Sequence, residues 1–177
     1  MGPPSVHMDA TSLRPASIER SGWTSVATMR IRHARVGEAL ALEALQRRSS
    51  DVWEDYREQL AAHPDAIEVP QSFIDKGWTR VAVDDDDTPI GFSVVIPTDG
   101  PFHELDGLFV EPAHMHGGIG RALVEDAASL ASREGAKALE VTAGPAQGFY
   151  EKVGFRLIGA AQTRFGPAVR LRRDLRS

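Results

Sequence analysis

The run His116-Gly117-Gly118-Ile119-Gly120-Arg121 joins two segments of opposite periodicity, and this junction constrains the fold more than any other stretch of the chain. Ahead of it, Phe102 to Val110 reads as a strand stopped by Glu111-Pro112. Behind it, Ile119, Leu123, Val124, Ala127 and Leu130 recur at helical spacing until Gly135, which stands where a left-handed residue closes a helix. Glycines at a strand-to-helix turn let successive N–H groups point at one place, where the helix N-terminus adds its partial positive charge. The junction is therefore expected to bind an anion, with pyrophosphate a natural guest. Two well-known loops of this kind do not fit. A P-loop carries Lys then Ser or Thr after its last glycine, where this chain has Arg121-Ala122. A dinucleotide fold puts its glycines after the first strand, but these lie about two-thirds of the way along.

Around the junction the pattern alternates. Met29 opens a strand-like stretch, and a helix is expected over Gly37 to Arg48. Ser50 reads as the N-cap of a second helix carrying Trp53, Tyr56 and Leu60 on one face and stopped by His63-Pro64. Trp78 to Val83 and Ile90 to Ile96 read as a hairpin around the turn Asp84 to Pro89. After the long helix come a strand over Ala138 to Thr142, a short helix over Ala146 to Val153, and strands over Phe155 to Ile158 and Ala168 to Leu171. The order is β, αα, βββ, α, β, α, ββ. Residues 1–28, rich in Pro, Ser, Thr and Gly, read as an N-terminal extension, flexible or derived from a start site or an expression vector, ahead of one domain over 29–177.

Composition removes several classes. The chain of 177 residues has no cysteine, hence no disulfide framework, thiolate metal site or cysteine nucleophile. A net charge of -5 argues against a nucleic-acid binder. The mostly apolar stretch Phe92 to Ile96, interrupted by Ser93, is far below the roughly 18 residues of a membrane span. With no secretory signal pattern, the expected location is cytoplasmic. The pair His114 and His116 lacks a spaced third ligand, so no metal is expected.

Three stretches together resemble the GNAT superfamily of acyl-CoA-dependent N-acetyltransferases: Glu104-Leu105-Asp106-Gly107-Leu108-Phe109-Val110-Glu111-Pro112, Gly118-Ile119-Gly120-Arg121-Ala122-Leu123, and Gly148-Phe149-Tyr150-Glu151-Lys152-Val153-Gly154-Phe155. The resemblance runs from about Met29 to the C-terminus and is most specific over 104–158. It implies a GNAT-like α/β fold, a central mixed, mostly antiparallel sheet of six to seven strands with helices on both faces. It implies acetyl-CoA as co-substrate, with the strand over 104–110 splayed from that over 138–142 and pantetheine in the gap. Backbone groups of Leu108, Phe109 and Val110 then bind the pantetheine arm. The N–H groups of His116, Gly117, Gly118, Ile119, Gly120 and Arg121 hold the pyrophosphate. Three positions depart from the family pattern: Met115 where Gln or Arg is usual, His116 for a common Gly, and Gly144-Pro145 where Asn often stands.

Acetyl transfer to an amine poses two proton problems. An amine of pKa ~10.4 is mostly ammonium at neutral pH and must lose a proton before it attacks, and the leaving thiolate gains from receiving one. By resemblance, Glu104 is the base and Tyr150 the acid. Strand alternation puts Glu104, Asp106, Leu108 and Val110 on one face, where apolar neighbours would raise the carboxyl pKa. The second helix supplies the acceptor wall, with Trp53 and Tyr56 as its aromatic face. The expected function is direct transfer from acetyl-CoA to a primary amine of a small molecule or peptide within a ternary complex, with a homodimer possible. The alternative is a CoA-binding regulatory or interaction domain of the same fold, without activity. The acidic stretch 51–111 against the basic stretch 112–177 further suggests a cationic acceptor and a polyanionic donor.

Overall fold

The computed structural model describes residues 29–176, so the expected extension over 1–28 lies outside the described residues. The elements are β1 (Arg30–His33), α1 (Ala39–Ser50), α2 (Glu54–Ala62), α3 (Gln71–Asp75), β2 (Thr79–Val83), β3 (Pro89–Pro97), β4 (Phe102–Val110), α4 (Ile119–Arg133), β5 (Ala138–Ala143), α5 (Gln147–Lys152), β6 (Arg156–Thr163) and β7 (Gly166–Asp174). The strands form one sheet in the order β1-β2-β3-β4-β5-β7-β6. Every neighbouring pair is antiparallel except β4 with β5.

Alternation along the strands divides the core in two. On one face, Ile119, Leu123, Val124 and Ala127 of α4 pack with Leu105, Leu108 and Val110 of β4 and with Leu139 and Val141 of β5. On the other, Leu42 and Leu45 of α1 pack with Val81, Phe92, Val94 and Phe109. These are called below the α4 face and the α1 face. The expected mixed sheet with helices on both sides is what forms.

Two contacts seat α4. Arg80 of β2 donates two hydrogen bonds to Asp126, of 2.9 and 2.8 Å, in a mostly buried fork-to-fork pair. Gly91 of β3 lets the start of the helix lie close to the sheet: a Cβ there would come within 3.0 Å of Ile119 Cγ2, 3.1 Å of the Phe109 carbonyl oxygen and 3.2 Å of Leu123 Cδ1. Gly91→Ala is accordingly expected to destabilise the domain by about 1–3 kcal/mol, through overpacking that the Phe109 main chain cannot relieve. Chemical denaturation measures it, and unchanged stability would mean that α4 shifts freely. The far end of α4 closes as the sequence predicts. Gly135 has φ +90, its N–H donates to Ser132 O and that of Ala136 to Ala131 O, the paired bonds of a left-handed helix stop.

The structure corrects the sequence reading at other places. Ser50 is not an N-cap: α1 continues through it, with the Asp51 N–H bonded to Arg47 O, and Ser50 is fully buried. Trp53 occupies the N-cap of α2 and makes no side-chain cap. Helix α3 goes unpredicted because five residues show no period. Strands β6 and β7 are longer than expected. β6 is exposed along nearly its whole length, so no burial alternation marks it.

Candidate active site

β4 and β5 pair in parallel only at Phe102–Ala138, His103–Leu139 and Glu104–Glu140. Beyond Glu104, β4 stays with β3 up to Val110 while β5 follows β7 to Ala143. The strands therefore part, and among the described residues no strand lies beside the main chain of β4 from Leu105 onward on that side. A bulge accompanies the parting: Val94 lies opposite Gly107 and Val95 opposite Leu105, which leaves Asp106 as an extra residue. One inserted residue reverses the alternation. Leu105, Leu108 and Val110 thus all enter the α4 face, and Phe109 the α1 face. The expectation that Glu104, Asp106, Leu108 and Val110 share a face fails for this reason. Glu104 sits opposite Ile96, on the α1 face, whereas Leu108 and Val110 point the other way.

The glycine loop follows β4 through a 3-10 turn, Pro112–His114. His116 has φ +69 and Gly118 φ +85. A non-glycine residue is uncommon in that region, which gives a physical reason for the glycine that the family commonly has at His116. Gly118 occupies the N-cap of α4 and has no side chain to satisfy its first amides. His116 Nδ1 is buried without a partner, Arg121 is exposed, and Ile119 and Gly120 are buried at the helix start. Open amides, a left-handed turn and an unpartnered imidazole nitrogen fit a pyrophosphate.

Tyr150 of α5 lies on the α4 face. It is fully buried, with Phe149 and Phe155 at ring-centroid distances of 5.1 and 5.4 Å, both edge-on.

Glu104 meets a different environment. Arg170 of β7 grips both its oxygens, Nη1 donating to Oε2 at 2.9 Å and Nη2 to Oε1 at 3.0 Å. The same guanidinium donates to Thr142 Oγ1 at 2.7 Å and to Glu140 Oε1 at 2.7 Å. Arg172 donates to the other oxygen of Glu140 at 3.0 Å. Burial raises the Glu104 carboxyl above its ordinary range; Arg170 opposes this, and Asp106 and Glu140 add to it. Sequence reading missed Arg170, Glu140 and Thr142. A signal was present: a glutamate inside Ala-Leu-Glu-Val-Thr-Ala needs a partner if buried, and the Arg-rich last strand could supply one.

On the acceptor side, α2 reaches across to the end of β5, and a Cβ on Gly144 would come within 2.6 Å of the Tyr56 hydroxyl. Tyr56 and Trp53 pack with Leu60, Ile67 and Phe165, the last from the β6–β7 turn. The rings of Tyr56 and Phe165 are 6.2 Å apart. The Trp53 indole Nε1 is buried without a partner. Among the described residues no group of three or more His, Cys, Asp or Glu is placed to hold a metal ion.

The chain is similar to known proteins in both sequence and fold. The model of the acetyltransferase (GNAT) domain matches residues 76–157. A peptidyl-lysine N-acetyltransferase, YjaB of Salmonella typhimurium, is 33% identical over 132 residues, covering 75% of this chain and 86% of that protein. Among solved structures, apo YjaB of Escherichia coli superposes with a TM-score of 0.62 at 30% identity, over 81% of this chain and 96% of that one. The PaiA N-acetyltransferase of Thermoplasma acidophilum, solved with coenzyme A, gives 0.69 at 19% identity, over 83% and 99%. The parted strands, the glycine loop and the extent of the YjaB match all lead to one assignment: the chain belongs to the GNAT family of acetyltransferases.

Proposed function

We propose that the chain transfers the acetyl group of acetyl-CoA to the side-chain amine of a lysine in a peptide, with both reactants bound at once. The observation that carries this reading is the gap through the sheet between β4 and β5, which has different chemistry on its two faces. On the α4 face are the anion loop at the start of α4 and the Tyr150 phenol. On the α1 face are Glu104 and Thr142, with the α2 wall of Trp53 and Tyr56 beside the end of β5. Donor and acceptor thus approach from opposite sides, and no enzyme nucleophile is needed between them.

Acetyl-CoA supplies the activated acyl group. Backbone groups of Leu108, Phe109 and Val110, on the side of β4 where β5 has parted from it, bind its pantetheine amides as an added strand would. The amides from His116 to Arg121 hold its pyrophosphate. Glu104, through water, takes the proton that the acceptor ammonium must lose, and Tyr150 gives one to the departing sulfur. The peptide-lysine assignment follows the two YjaB relatives, each 33% identical and each named a peptidyl-lysine N-acetyltransferase.

The test is CoA-thiol release with a panel of lysine peptides, free polyamines and amines bearing carboxylates. Lysine peptides are expected to give kcat/KM at least tenfold above the small amines. Faster turnover of a free amine would assign a small-molecule acceptor instead. Calorimetric binding of acetyl-CoA with no amine-dependent release would indicate a binding module that has lost catalysis.

A further inference from the structure

We propose that Arg170 is a positioning residue for the transfer reaction, clamping the Glu104 carboxylate in one orientation and keeping it ionised so that it can accept the acceptor's proton. The inference rests on the reading of Glu104 as the base.

The geometry is specific. A bidentate fork fixes the plane of the carboxylate, which a single hydrogen bond does not. The fork itself is fixed by two further acceptors on β5, Thr142 Oγ1 and Glu140 Oε1, and Glu140 is held from behind by Arg172. The clamp therefore spans β7, β5 and β4 at the last paired residues of β4 and β5, Glu104 and Glu140, where the gap begins. Arginine occupies the bidentate side of the carboxylate and leaves its outer lone pairs for a water or an amine.

The charges around Glu104 explain why a clamp is needed. Its own strand carries Asp106 and β5 carries Glu140; β7 carries Arg170 and, two positions further, Arg172; β3 presents Ile96 opposite it, and α2 brings the Tyr56 phenol to Gly144. Two carboxylates and partial burial favour the protonated acid, which cannot take a proton. Arg170 is the group bonded to Glu104 that favours the anion. In the reaction, one ammonium proton passes to Glu104 and the freed nitrogen bonds to the acyl carbon. The carbon–sulfur bond breaks as the sulfur takes the Tyr150 proton, the nitrogen sheds its second proton through water and so restores the phenol, and Glu104 returns the first proton to solvent.

The experiment measures kcat/KM against pH with a lysine peptide for wild type, Arg170→Gln, Arg170→Lys, Arg172→Gln and Glu104→Gln, alongside a carbon NMR titration of the Glu104 carboxyl. Removing Arg170 leaves only influences that raise the Glu104 pKa. The acidic limb of Arg170→Gln is therefore expected to move up by about one unit or more, a roughly tenfold rate loss below the limb that recovers above it. Arg170→Lys, with charge but no fork, falls between the two, and Arg172→Gln, which leaves the Arg170 fork on Glu104 in place, moves the limb less than Arg170→Gln does. A loss by the same factor at every pH would make Arg170 merely structural and overturn the proposal. If Arg170→Gln does not fold, Arg170→Lys decides: an NMR midpoint for Glu104 identical to wild type overturns it. The underlying reading fails separately, if Glu104→Gln retains the acidic limb.

Discussion

Tyr150→Phe is expected to lower kcat about a hundredfold while leaving acetyl-CoA affinity within about twofold of wild type, the size typical of losing one general acid. The substitution deletes a single oxygen. The edge-on contacts with Phe149 and Phe155, which a phenylalanine keeps, mean that packing changes little. A phenol of ordinary pKa ~10 holds its proton at neutral pH and can give it to a thiolate as the carbon–sulfur bond breaks, a demand that exists only in the transition state. Lost turnover with retained affinity is the signature of such an interaction. The competing account is a core tyrosine that does no chemistry, and its complete burial gives that account weight. Under it, Tyr150→Phe would change the melting temperature and not kcat. Steady-state kinetics with calorimetric binding separates the two outcomes.

The features legible in the sequence were those written over short distances. The β4 strand, the glycine loop and the closure of α4 at Gly135 each depend on residues within a dozen positions of one another, and each forms where the pattern places it. What stayed hidden has two physical causes. The first is phase. The extra residue at Asp106 leaves β4 looking like an unbroken strand, yet it moves Leu108 and Val110 to the face opposite Glu104. No alternation argument that assumes a regular strand can find it. The second is distance along the chain. Arg170 and Glu104 are 66 positions apart, and Gln59 of α2 and Phe165, which meet through a 3.5 Å contact, are 106 apart.

Segment charge is likewise redistributed by contacts distant in sequence. The acidic stretch 51–111 suggested a negative acceptor wall, but its densest part, Asp84 to Asp87, lies in the β2–β3 turn on the β1 side of the sheet, where Asp87 binds Arg30, Arg32 and Arg35. Glu111 binds Arg48 at the end of α1. Glu104 is compensated by Arg170. Attraction of a cationic acceptor by these carboxylates is therefore expected to be weaker than segment sums imply.

Gly118→Asp is expected to weaken acetyl-CoA binding about a hundredfold at low salt. Two properties of the site make the change electrostatic and not steric. A Cβ on Gly118 meets nothing within 4 Å, and aspartate is among the few residues that tolerate a left-handed backbone such as its φ of +85. Stability is accordingly expected to stay within about 1 kcal/mol of wild type. The new carboxylate stands at the N-cap of α4, where the loop amides and the helix dipole favour an anion. Two unit charges about 4 Å apart near a protein surface interact by about 4 kcal/mol, so even a partly relaxed clash with a pyrophosphate leaves the ~2.7 kcal/mol that a hundredfold loss requires. Gly118→Asn supplies the control, since it has the same shape and the same tolerance of the left-handed region without the charge. It should cost less than about fivefold. Screening sharpens the comparison: as the Debye length falls from about 10 Å at 0.1 M salt to about 3 Å at 1 M, the gap between the Asp and Asn variants should narrow. Equal losses for the two, or a gap that ignores salt, would mean that the loop does not hold the phosphates and that acetyl-CoA is anchored elsewhere along the parted strands.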